Sequence, residues 1–135
     1  CDWARLENGV RVDSTIKNFF ISRRPGGGLG NNLHNPGSNQ SDANYGFTAG
    51  VAECLIQSHA GEISLLPALP PGWKEGSVTG LRARGGFEIN MEWENGKLSK
   101  AEVKSLLGNP CIVRVNGETT NYAPAKGETI VIQGS

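Results

Sequence analysis

Residues 44–66, NYGFTAGVAECLIQSHAGEISLL, contain the change of pattern on which the fold turns. Up to about His59 the apolar positions (Tyr45, Phe47, Ala49, Val51, Ala52, Leu55 and Ile56) are spaced as in a helix and spread around most of its circumference. A helix apolar on nearly all sides is packed among other elements, so the stretch predicts a buried helix over about 44–59. After Gly61 the period falls from 3.6 to 2, and Glu62-Ile63-Ser64-Leu65-Leu66 predicts a short strand. Helices thus precede this point and strands follow it.

Upstream, Asp2-Trp3-Ala4-Arg5-Leu6 resembles the tail of a helix, and Glu7-Asn8-Gly9 a turn. A second helix is expected from about Val10, with Val12, Ile16, Phe19 and Phe20 on its apolar face. It should end before Arg23-Arg24-Pro25, because proline disfavours helix in the residue before it. Residues 25–43, PGGGLGNNLHNPGSNQSDA, form a long connection rich in Gly, Asn and Ser. Connections of that length are usually functional or disordered. The second half, with His34, Asn35, Asn39, Gln40 and Asp42, is the part equipped for a site.

Downstream, Pro67-Ala68-Leu69-Pro70-Pro71-Gly72-Trp73 predicts a turn, and strands are expected over 77–84, 87–93, 97–106, 111–115 and 129–133. Phe87, Ile89, Met91 and Trp93 alternate with Glu88, Asn90, Glu92 and Glu94, the pattern of a half-buried antiparallel strand. Glu94-Asn95-Gly96-Lys97 carries the Asn-Gly signal of a two-residue hairpin. Asn116-Gly117 is expected to join the last two strands. Trp93 is expected in the core, Trp73 at the junction of helices and strands, and Gly85-Gly86 at a bulge or sharp bend. Arg82 and Arg84 share one strand face and are expected in an ion pair at that junction.

The 135 residues carry 13 basic and 13 acidic side chains, a formal net charge of zero. Such a balance argues against nucleic-acid and anionic-membrane partners, which select a basic excess. No apolar run approaches the roughly 18 residues of a membrane span. Abundant glycine and sparse charge suit a secreted or periplasmic protein. Cys1, Cys54 and Cys111 are far apart and form no Cys-x-x-Cys pair, so free thiols are expected and no metal site or cofactor is implied. The sequence begins inside a helical pattern, as a piece of a larger protein would.

The run QSDANYGFTAGVAECLIQSHAGEISLLPALPPGW, residues 40–73, followed by GSVTGLRARGGFEINMEWENGKL, residues 76–98, resembles glycoside hydrolase family 95, the family of α-L-fucosidases. That resemblance implies an α+β fragment: the last helices of an (α/α)6 barrel in residues 1–73, then a small antiparallel β-sandwich domain in residues 74–135. It implies inverting, exo-acting release of terminal α-L-fucose from a fucosylated oligosaccharide or glycan. In the family a glutamic acid protonates the leaving oxygen, and an asparagine polarised by aspartate activates the water. The glutamate and asparagine belong to segments upstream of Cys1, in the remainder of the barrel, which is thereby an implied partner. The aspartate of the Gln-x-Asp-x-Asn motif falls on Asp42.

The chemistry suits that position. An amide oxygen is a feeble base unless a carboxylate holds its NH2, and a carboxylate at a helix N-terminus stays ionised and oriented. Inversion also requires room for a water between acid and base, typically about 6.5–9.5 Å. Asp42 could alternatively serve only to cap its helix. His34 and Asn44 are the candidate substrate contacts, although His34 could simply order its loop. The family often has His-Pro-Pro-Phe shortly before the motif, where this sequence has His34-Asn35-Pro36-Gly37-Ser38-Asn39. That difference leaves α-L-galactoside substrates open. A contrasting expectation is a non-catalytic carbohydrate-binding or structural β module over residues 62–135. On either view the piece alone is expected to be inactive.

Overall fold

The computed structural model describes residues 2–21 and 41–134; the side chains of 19–21 and 41–44 are outside that description. The chain opens with α1 (Asp2–Arg5) and α2 (Gly9–Ile21). Asn8 ends the turn between them and caps α2, its Oδ1 accepting from the N–H of Arg11 at 3.0 Å. Gly9 is required here for space. A Cβ on it would lie 2.4 Å from the carbonyl oxygen of Leu69, so the start of α2 sits directly on the backbone of the proline-rich segment.

Helix α3 spans Ser41–Leu55. It stops four residues before the expected end at His59, because Ile56–Gln57 forms a strand, β1, antiparallel to β2 (Ile63–Leu65). The last carbonyls of α3 are taken by this returning chain. Leu66 N–H donates to Leu55 O at 2.8 Å and Ala68 N–H to Cys54 O at 3.3 Å. Orphan carbonyls at a helix end need such partners, and here tertiary structure supplies them. Burial along α3 is uneven: Tyr45 is 75% exposed, Phe47 and Val51 are half-buried, and Cys54 and Leu55 are buried. Only its C-terminal end is covered by the described residues.

The remaining strands are β3 (Gly76–Ala83), β4 (Phe87–Glu94), β5 (Lys97–Ser105), β6 (Cys111–Val115), β7 (Glu118–Tyr122) and β8 (Thr129–Gln133). They build two four-stranded sheets, ordered β1-β2-β6-β7 and β3-β4-β5-β8. All pairings are antiparallel except β2 with β6, which is parallel. This departs from the wholly antiparallel expectation. The parallel match is possible because some 45 residues of intervening chain, including a whole hairpin, return β6 alongside β2 in the same direction. β1 and β2 precede residue 74 yet share a sheet with β6 and β7, so the two halves of the chain interlock.

The inner faces of both sheets enclose one core. Phe87, Ile89, Met91 and Trp93 of β4 are buried, as their alternation predicts, and meet Leu98, Ala101 and Val103 of β5 with Ile63, Leu65 and Val113 of the other sheet. Each Val, Leu, Ile, Phe or Met among them contributes roughly 1.5–3 kcal/mol. Trp93 lies flat on Gly76 across the ladder and donates its indole N–H to Trp73 O at 3.0 Å. Trp73 itself is half-buried against this core. A smaller cluster of Ala4, Val12, Cys54 and Ala68 ties the helices to the segment after β2.

Both Asn-Gly pairs are turns with positive φ at each residue, Asn95 (53°) with Gly96 (74°) and Asn116 (50°) with Gly117 (85°). The second joins β6 to β7 and not to β8, which belongs to the other sheet. Gly85-Gly86 lies in the tight turn between β3 and β4, while the bulge falls between Val78 and Leu81. Arg82 pairs with Glu88 of the neighbouring strand at 2.7 Å, so that ion pair belongs within the sheet and not at the junction.

Candidate functional site

Asp42 is the second residue of α3, inside the first turn and not ahead of the helix as the sequence suggested. Asn44 is in the same turn, two positions on. The side chains of both are outside the described residues, as are His34, Asn39, Gln40 and the glycine-rich part of the 25–43 connection. Tyr45, three residues after Asp42 and on the same side of the helix, is strongly exposed. A first-turn position faces the unpaired N–H groups and the positive end of the helix dipole, which favour an ionised carboxylate.

The other end of α3 is anchored through a set of polar contacts. Arg5 Nε and Nη2 each donate to the Glu53 carboxylate at 2.8 Å. This pairing, first by hydrogen bonding and then by charge, holds the Glu53 carboxyl below its ordinary value of 4.5. Gln57, buried, donates Nε2–H to Ala4 O at 2.7 Å and to Glu53 O at 3.0 Å. Cys54 is fully buried and gives its S–H to Gly50 O, and burial pushes its thiol up to about 11. Cys54 and Cys111 are both free thiols; Cys1 is outside the described residues.

The sheet reaches back to the helices through Arg114 of β6. Its Nη2 contacts Glu7 Oε1, its Nη1 donates to Glu7 Oε2 at 3.3 Å, and its Nε lies 2.6 Å from Glu62 Oε1. The last contact is close but not aligned as a hydrogen bond. Glu7 above all, with Glu62 adding its charge, keeps the guanidinium firmly protonated. Nothing in the spacing of Glu7, Glu62 and Arg114 announces this trio. The one hint is the acidic residue in a turn position that usually takes glycine or asparagine.

Two open clefts flank Ser58 and His59, in the turn between β1 and β2. One, about 290 Å3, is lined by Arg5, Ala49, Glu53, Arg82 and Arg84 among others; the second, about 350 Å3, by Glu62, Arg84, Phe87 and Cys111 among others. His59 is exposed between them. Among the described residues no group of three metal-ligating side chains occurs, and no helix is long and apolar enough to cross a membrane.

Comparison with known proteins agrees with this architecture. The family model for the C-terminal domain of glycoside hydrolase family 95 matches residues 57–133, beginning where α3 has ended. The chain is 42% identical over 106 residues to alpha-L-fucosidase 2 of Arabidopsis thaliana, covering 71% of this chain and 12% of that protein. To the probable alpha-fucosidase A of Aspergillus oryzae it is 31% identical over 134 residues, covering 85% of this chain and 18% of that protein. The probable alpha-fucosidase A of Aspergillus niger is 36% identical over 67 residues, 42% of this chain and 8% of that protein. The chain therefore spans less than a fifth of the length of each of these relatives. With the family match extending over more than half of its residues, the chain belongs to glycoside hydrolase family 95.

Proposed function

We propose that this chain is the C-terminal part of an inverting exo-acting glycoside hydrolase that releases terminal α-L-fucose from oligosaccharides or glycans. Asp42 is assigned the polarisation of an asparagine that activates the attacking water, with His34 and Asn44 as substrate contacts. The asparagine base and the glutamic acid belong to the remainder of an (α/α)6 barrel supplied by upstream polypeptide. Residues 1–73 close that barrel and residues 74–135 form the β domain, the two interlocked through β1 and β2.

The observation that carries this proposal is the contiguous motif around Asp42, in a chain whose relatives bear the name α-fucosidase. The position of Asp42 in the first turn of α3 supports the chemistry, because the helix dipole favours the ionised carboxylate an amide base needs. The exposed Tyr45 and half-covered Phe47 and Val51 support a helix completed by further barrel elements. A binding module over residues 62–135 would require an exposed aromatic platform. Phe87 and Trp93 are instead in the core, and Trp73 and Tyr122 pack against it.

The test is hydrolysis of an α-L-fucosyl disaccharide by the full-length protein and its Asp42→Ala variant. A loss of turnover of about a hundredfold or more with folding intact is expected. Unchanged turnover would reduce Asp42 to a structural residue of the first turn. Inactivity of both forms toward fucosides, with activity toward α-L-galactosides, would reassign the sugar.

A further inference from the structure

We propose that Arg114 is a positioning residue for the reaction: through Glu7 and Glu62 it locks the β domain to α1, and through α1 sets the angle of α3, the helix that carries Asp42. This role rests on Asp42 acting as proposed above.

Arg114 lies on β6, an inner strand held by Ser64 on one side and Thr119 on the other, so its backbone is well determined. Its side chain is 25% exposed, and its guanidinium contacts both carboxylates. Glu7 meets it from the α1–α2 turn with φ at 55°, a conformation that costs a non-glycine residue about 1 kcal/mol or more. Glycine would fit this turn without strain but could not reach Arg114. The contact with Arg114 is what the carboxylate at this position provides.

From Glu7 the connection is short. The Glu7 N–H donates to Ala4 O at 2.9 Å, the same carbonyl that accepts from buried Gln57. Arg5 grips Glu53 with two hydrogen bonds. α1 is thereby fastened to the sheet at one end and to the last turn of α3 along its side. A helix of 15 residues is about 22 Å long, so a tilt of about 3° at this anchored end moves its first turn by about 1 Å. Displacements of that size in a catalytic group are known to cost up to about a hundredfold in rate.

The test compares Arg114→Met, Arg114→Lys and Asp42→Ala in the full-length protein. Arg114→Met is expected to lower kcat about tenfold with KM changed less than about twofold. Arg114→Lys should recover only a minor part of that loss, since an ammonium cannot hold two carboxylates in the fork geometry. Adding Arg114→Met to Asp42→Ala should lower kcat no further, because both act through one group. Hydrogen exchange should quicken at residues 4–12 and 53–57 while β4 and β5 keep their protection. Should Arg114→Met fail to fold, Glu7→Gln probes the same link and should lower kcat about threefold. Wild-type kcat in Arg114→Met, or in Glu7→Gln where only that variant folds, overturns the positioning role even if the thermal midpoint falls. If Asp42→Ala is inactive in that case, the proposed chemistry stands and only the role of Arg114 is lost. A fully active Asp42→Ala overturns the proposed chemistry itself, and with it any positioning through Asp42.

Discussion

Glu53 joins two elements through a single carboxylate, bonded to Arg5 of α1 from its place in the last turns of α3. Its folded-state pKa is depressed, so its contribution to stability is present above the ordinary carboxylate value of 4.5 and is lost as pH falls through the folded value. Glu53→Gln should therefore lower the thermal midpoint of the full-length protein at pH 7. The difference from wild type should close as pH falls from about 5 to about 3. A difference that stays constant across that window would show that packing, and not charge, is what the substitution removed. Gln57 illustrates a residue whose role no local pattern discloses. Within its own segment it resembles one more helical position, yet it is buried because two carbonyls, one of them 53 residues away, receive its amide.

At the scale of elements, the hairpins follow directly from local chemistry. In the β4–β5 turn both Asn95 and Gly96 have positive φ, and Gly96 also gives its N–H to Lys74 O. Gly96→Ala places a Cβ on a left-handed residue and should cost about 1 kcal/mol, read as a lower urea midpoint with unchanged slope. No change would mean that the turn can relax into another type. The β4 alternation was equally legible, since every second residue meets one core. The end of α3 was not. Leu55, Ile56 and Gln57 continue a helical pattern, but pairing of Ile56 with Leu65 and Gln57 with Ser64 takes the last two into a sheet. β7 has no local signature for a different reason: Glu118-Thr119-Thr120-Asn121 is exposed throughout and carries no apolar alternation, so only its ladder with β6 identifies it.

Across the whole molecule, two sheets and the foot of α3 share a core centred on β4 and β5. Phe87 is 2% exposed in it, and Phe87→Ala should destabilise the protein by about 3–5 kcal/mol, measured by denaturant unfolding. A cost below about 1 kcal/mol would indicate that the sheets can collapse onto the space left behind. The match of residues 57–133 to a family domain agrees with this division, in which the strands carry the core and the helices lie to one side. Period, turn chemistry and motif are properties of neighbouring residues, so the switch from helix to strand, the Asn95-Gly96 turn between β4 and β5, the buried face of β4 and the family resemblance are all readable in order along the chain. The allocation of strands to two sheets, the parallel pairing of β2 with β6, the stopping point of α3 and the Arg114 trio were decided only by the folded structure. Each depends on groups outside the local segment finding one another, as near as Ile56 with Leu65 at the end of α3 and as far as Glu7 with Arg114. Side-chain periodicity records which face of a segment is buried but not what buries it.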